Sequence, residues 1–69
     1  NISIPYIKKH IEGYPEIKKC ILEIVQDRQW GEILHANIQC NKKTTPEILL
    51  DKLKKNLPKY MVPKKITIQ

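Results

Sequence analysis

Two cysteines and two histidines, Cys20, Cys40, His10 and His35, are the residues of this 69-residue chain with the donor chemistry of a tetrahedral metal centre. Their spacing argues against one. Structural zinc ligands come as close pairs of the C-x-x-C kind, and Cys20 and Cys40 stand far apart, so no metal site is expected. Both cysteines are expected to be reduced, half-buried and inert. A disulfide would need them to face each other on neighbouring strands. Glu12 and Glu16 are the nearest carboxylates along the chain, but they straddle a helix stop and read as surface charges rather than a general acid–base pair. His10, near the end of the same helix, reads as a surface residue compatible with the helix dipole. There is no glycine-rich phosphate loop and no H-E-x-x-H, and no Ser or Cys stands beside a His; the chain has only two glycines. No catalytic constellation can be assembled from these residues.

Cations are plentiful. Thirteen Lys and Arg against seven Asp and Glu leave a net charge of +6, which favours anionic partners. Lysine pairs at 8–9, 18–19, 42–43, 54–55 and 64–65 are spread along the chain, the pattern of solvated faces rather than of one binding block. One alternative is a small basic nucleic-acid-binding module, with Tyr6, Tyr14, Trp30 or Tyr60 stacking on bases. It is disfavoured by a single arginine and by the lack of strand aromatics set beside basic residues and glycine.

The elements that position these groups can be read in order. Ser3 can cap a helix over residues 4–12, Pro5 is tolerated in its first turn, and Ile4, Ile7 and Ile11 recur at helical spacing. Gly13 can take the left-handed conformation that closes a helix, and Pro15 prevents resumption. Residues 17–25 read as a strand, with Cys20, Leu22 and Ile24 on one face and Ile21 and Val25 on the other, so a central position in the sheet is expected. A hairpin loop over 26–31 follows, and Trp30 is expected to fold over the sheet edge. Leu34, Ala36, Ile38 and Cys40 then alternate with His35, Asn37 and Gln39, a strand with one wet face. Thr44-Thr45-Pro46-Glu47 opens a second helix with either threonine as cap. Leu49, Leu50, Leu53 and Leu57 form its apolar stripe, and Asp51 can pair with Lys55. Pro58 ends that helix and Pro63 biases Val62 to extended backbone, so Tyr60-Met61-Val62 reads as a partly buried connector into a last strand carrying Ile66 and Ile68.

Helix, strand, strand, helix, strand is an α+β order. One small two-layer domain over residues 1–69 is expected, with a three-stranded, mostly antiparallel sheet and two main helices packed on it. A chain this short sits near the lower limit for a self-sufficient core. No apolar run approaches the roughly 20 residues of a membrane-spanning helix, and the default compartment is the cytoplasm. The chain opens without an initiating Met and stops apparently within a strand, which reads as a piece of something longer.

Several segments resemble one family. Ile2-Ser3, Tyr14-Pro15-Glu16-Ile17, Asp27-x-x-Trp30-Gly31-Glu32, Ala36-Asn37-Ile38 and above all Leu57-Pro58-Lys59-Tyr60-Met61-Val62-Pro63-Lys64-Lys65-Ile66 look like the small C-terminal subdomain of the adenylate-forming (AMP-forming) ligases. That superfamily includes acyl- and aryl-CoA synthetases, peptide-synthetase adenylation domains, D-alanine carrier-protein ligases and luciferases. Leu57, Pro58, Tyr60, Met61, Val62 and Pro63 carry the specific part of the resemblance. It implies an ATP- and Mg-dependent enzyme that adenylates a carboxylate and passes the acyl group to CoA or to the phosphopantetheine of a carrier protein. The small subdomain would be a mobile lid on a large N-terminal domain, inactive alone. The family's catalytic N-G-K lysine would lie beyond Gln69 and its thioester loop before Asn1, so no residue here inherits a catalytic role. Lys64 and Lys65, flanking the signature turn, are the candidate contacts to the thiol acceptor. Tyr6-Ile7-Lys8 stands where relatives carry Glu-x-Glu, and Tyr14-Pro15 where His-Pro is frequent. Asp27-x-x-Trp30-Gly31-Glu32 inclines the reading toward an acyl-CoA ligase.

Overall fold

A computed structural model describes residues 3–69; Ile2, part of the resemblance, lies outside them. The element order is α1 (Ile4–Glu12), β1 (Ile17–Asp27), β2 (Gly31–Cys40), α2 (Pro46–Asn56), a 3-10 turn (Lys59–Met61) and β3 (Lys65–Ile68). Ser3 caps α1 by accepting the Tyr6 N–H at 3.3 Å. Thr45, not Thr44, caps α2, accepting the Ile48 N–H at 3.2 Å with Pro46 in the first turn. The cap chosen is the one that leaves proline where a missing N–H costs nothing.

The sheet order is β1-β2-β3. β1 and β2 pair antiparallel along the hairpin, and β3 pairs parallel to β2 from His35–Lys65 to Ile38–Ile68. The α+β reading holds, and the antiparallel ladder is much the longer of the two. The parallel neighbour is reached by the α2 crossover, which a two-residue turn could not provide. β1 is an edge strand, contrary to the expectation drawn from its two apolar faces. Its second face lies open: Ile21 is exposed and Val25 half-buried there.

Opposed pairs Cys20–Ile38, Leu22–Ala36 and Ile24–Leu34 put one apolar row under the helices. A register shift between Ile17 and Lys19 lets Ile17 and Cys20, three apart, both turn inward. Ile7 and Ile11 of α1, Leu49 and Leu53 of α2 and Leu57 just past its end close the core over Cys20, Leu34, Ala36 and Ile38. Ile24 shares that row yet is 59% exposed, because the helices cover only the other end of the hairpin.

Gly13 does not take the expected left-handed conformation: its φ is −74° and its N–H donates to the carbonyls of Lys9 and His10. Close approach explains it better, since a Cβ there would stand 3.2 Å from the His10 carbonyl oxygen. Positive φ occurs instead at Gly31, at 79°, where it closes a three-residue hairpin turn.

Candidate functional site

The end of α2 builds the site. Leu57 leaves the helix in extended backbone, with its N–H still held by the Leu53 carbonyl at 2.8 Å. Pro58 forbids another turn. The Met61 and Val62 N–H groups return to Pro58 and Lys59 at 2.9 and 3.2 Å, Pro63 is fully buried, and Lys64 N–H reaches the Leu34 carbonyl at 3.0 Å. The connector is therefore pinned at both ends. Met61 and Val62 are half-buried as expected, whereas Tyr60 is 61% exposed and does not join the core.

Between α2 and this connector lies an open groove of about 530 Å3, lined by Leu50, Val62 and Pro63 and by Lys54, Lys59 and Lys64. Lys54 stands in the last turn of α2, where the helix dipole favours a cation. None of the three lysines is in an ion pair among the described residues; the paired ones are Lys8, Lys52 and Lys55. Beside the groove is the hairpin tip. Asp27 accepts the Trp30 N–H at 3.1 Å, and with Gly31 it shapes the turn that presents the indole, 59% exposed. Lys64 Nζ sits 4.0 Å from the Trp30 ring centroid, a cation–π contact. Trp30 thus stands out from the sheet with Lys64 on it.

The structure separates the two candidate acceptor contacts. Lys64 lines the groove and touches Trp30, while Lys65 opens β3 opposite His35 on the wet sheet face. His35 donates to or accepts from Thr67 Oγ1 at 2.8 Å there, and Asn37 donates to Glu23 at 2.9 Å. Tyr6 lies in α1, Trp30 in the hairpin turn between β1 and β2, and Tyr60 in the 3-10 turn.

A second cluster eluded the sequence reading. Glu12 and Glu16 are staples rather than loose surface charges. Glu12 accepts from Lys8 Nζ at 2.7 Å and from the Cys20 N–H at 2.9 Å; Glu16 is bonded to Lys52 of α2. These bonds, Lys8 foremost for Glu12 and Lys52 for Glu16, hold both carboxyls below their ordinary range. Lys52 also lies over the Tyr14 ring at 5.1 Å, and Tyr14 OH meets His10 Nε2 at 2.9 Å. The four-residue spacing of Lys8 and Glu12 was a usable signal; nothing in the sequence links Glu16 to Lys52. Cys20 and Cys40 are free thiols on the core side of the sheet, opposite to His35. Burial pushes the Cys20 thiol up to about 11 and raises that of Cys40, the inert behaviour expected of structural cysteines.

The fold, with its proline-bounded connector, is that of the small C-terminal subdomain of adenylate-forming synthetases. Among solved structures it is similar to o-succinylbenzoate CoA synthetase of Bacillus subtilis, described in complex with an acyl-adenylate intermediate, at 25% identity and a TM-score of 0.87 over 100% of this chain and 14% of that one. It is similar also to ATP-bound MatB of Rhodopseudomonas palustris (21%, TM-score 0.87, 100% and 14%). A fatty acyl CoA synthetase of Mycobacterium tuberculosis matches at 23%, with TM-score 0.80, over 91% of this chain and 13% of that one. The chain thus spans about one seventh of the length of these enzymes. No family model and no curated protein matches the sequence.

Proposed function

We propose that this chain is the mobile lid of an ATP-dependent, AMP-forming carboxylate–thiol ligase, closing over a large N-terminal domain for adenylation and again for thioester formation. The observation that carries this reading is the match of the whole chain to one seventh of CoA synthetase structures, two of them described with an acyl-adenylate and with ATP and magnesium. ATP, Mg and CoA are accordingly the cofactors of the complete enzyme, and the chain by itself is inactive.

CoA is favoured over a carrier protein as acceptor, because CoA synthetases are among the structures it resembles. The site suits such a ligand. An exposed indole offers a stacking surface to adenine, and Lys64 with Lys54 and Lys59 offers uncommitted cations to its phosphates. Exposed and, among the described residues, unpaired with carboxylates, these lysines can meet an anion without first breaking an ion pair.

The test has two arms. This chain alone is expected to show no ATP–pyrophosphate exchange, and exchange by it would overturn the lid reading. In the complete enzyme, charge reversal of Lys64 and Lys65 should raise the apparent KM for the thiol acceptor while acid-dependent ATP–pyrophosphate exchange persists. Unchanged acceptor kinetics would remove both lysines from the site.

A further inference from the structure

Among the described residues, side chains reach the outward backbone of β1 at one residue, Cys20. Cys20 N–H donates to Glu12 Oε2 at 2.9 Å, and Lys8 Nζ donates to the Cys20 carbonyl at 2.5 Å and to Glu12 at 2.7 Å. One ion pair from α1 thereby satisfies both backbone groups of a residue whose N–H and C=O point away from β2. The register from Lys19 to Asp27 is regular, so in an antiparallel ladder the backbone groups of Leu22, Ile24 and Gln26 point the same way. Among the described residues no hydrogen bond reaches them. Unpaired edge groups are templates for strand addition, and proteins blunt them with bulges and charges. β1 shows both devices, the register shift at Ile17/Lys19 and the Lys8–Glu12 pair at Cys20.

We propose that the Lys8–Glu12 pair is a latch on the β1 edge, and that without it a second copy of this chain adds to that edge antiparallel, about a two-fold axis at Glu23. That register pairs the outward residues Cys20 with Gln26 and Leu22 with Ile24 of the second copy. It sets Lys19 against Asp27 and Ile21 against Val25, an opposite-charge pair and an apolar pair at each end. Both Glu23 residues meet at the axis, where each already accepts from Asn37 in its own chain at 2.9 Å. With the latch closed, Cys20 has no free group to offer and Gln26 of the other copy loses its partner, so the four-residue match shrinks to the two residues Leu22 and Ile24. Too little edge then remains for a stable pair. The inference does not depend on the ligase reading.

The experiment compares the 69-residue chain with K8A/E12A and with the shape-keeping K8M/E12M, which leaves no acceptor for the Cys20 N–H, by sedimentation over rising concentration, with amide exchange on the same samples. The wild-type chain should sediment as one copy throughout. Both variants should move toward the mass of two, with slowed exchange at Cys20, Leu22, Ile24 and Gln26. Adding I24P, which deletes an outward N–H and leaves the β1–β2 ladder intact, should return them to one copy. Variants that stay single, or that associate without protection at those four amides, overturn the proposal. So does loss of the fold in both variants, which would make the pair a support of the domain rather than a guard of its edge.

Discussion

Glu12 and Glu16, at the closed end of the sheet, each hold a lysine, whereas Lys54, Lys59 and Lys64 around the connector have no carboxylate partner among the described residues. The closed end carries Ile7, Ile11, Cys20, Ile38, Leu49 and Leu53 in its core, and its charges tie helices to strand. The connector and hairpin tip carry Trp30, Ile24 and Tyr60 outside the core. Both ends are basic in sequence, and what distinguishes them is whether the cations have been neutralised within the fold. A lysine already bonded to a buried-edge carboxylate stabilises the domain; one left free beside an exposed indole remains open to an anionic ligand.

The comparison breaks most readily at the core. Leu53→Ala at the closed end removes a fully buried side chain and should cost about 2–5 kcal/mol in urea denaturation, enough to unfold much of so small a domain. Ile24→Ala, in the same sheet row at the open end, should stay within about 0.5 kcal/mol, as for other surface sites. Equal losses at the two positions would mean that the ends are not distinct in packing.

Most of the chain's architecture was legible because its signals are local. Ser3, Pro5 and the isoleucine spacing define α1, and the His35–Cys40 alternation defines the wet and dry faces of β2. Thr45-Pro46 and Pro58 bracket α2. Sheet order was not legible: β1 is apolar on both faces, which reads as a central strand, and only tertiary packing decides that one of those faces stays open. Of the site, the proline-bounded connector and Lys64 could be read from sequence. The partnership of Lys64 with Trp30 joins residues 34 apart, and the Lys52–Glu16 bond joins residues 36 apart; no periodicity carries such pairings. Gly13, as a helix stop, is the glycine expected at positive φ, and only backbone geometry shows that Gly31 takes it instead.

Next in size is the separation of Lys64 from Lys65. In the complete enzyme, Lys64→Glu alone should raise the acceptor KM by about tenfold, roughly 1.4 kcal/mol, and Lys65→Glu, on the other face, should change it far less. Lys52→Glu should act in the reverse sense, lowering the melting temperature of the domain with little effect on acceptor KM once folded protein is compared. If Lys65 proves the stronger contact, the wet sheet face rather than the groove is the acceptor side.

The two glycines sharpen the contrast further. Gly31→Ala must place a side chain at φ 79° and should cost about 1 kcal/mol. Gly13→Ala keeps an ordinary helical φ, and its tight 3.2 Å contact with the His10 carbonyl offsets what is gained by stiffening the unfolded chain. A thermal melt should therefore separate the two variants, with Gly31→Ala the less stable.

The smallest effect expected is on acid stability. Glu12 and Glu16 have folded pKa values below the ordinary 4.5, so in the acid range the unfolded chain takes up protons that the folded chain refuses. Their contribution is complete above a pH of about 5 and is lost as the pH falls through the folded values. Glu12→Gln and Glu16→Gln should each lower stability at neutral pH and flatten the acid limb of a stability-against-pH curve. Asp51→Asn removes an exposed i,i+4 pair with Lys55 at 3.6 Å, of the kind that contributes little, and should leave that limb as steep as in the parent. A double Glu12→Gln, Glu16→Gln variant with an unaltered acid limb would place the acid sensitivity outside the closed end and remove the electrostatic half of the comparison.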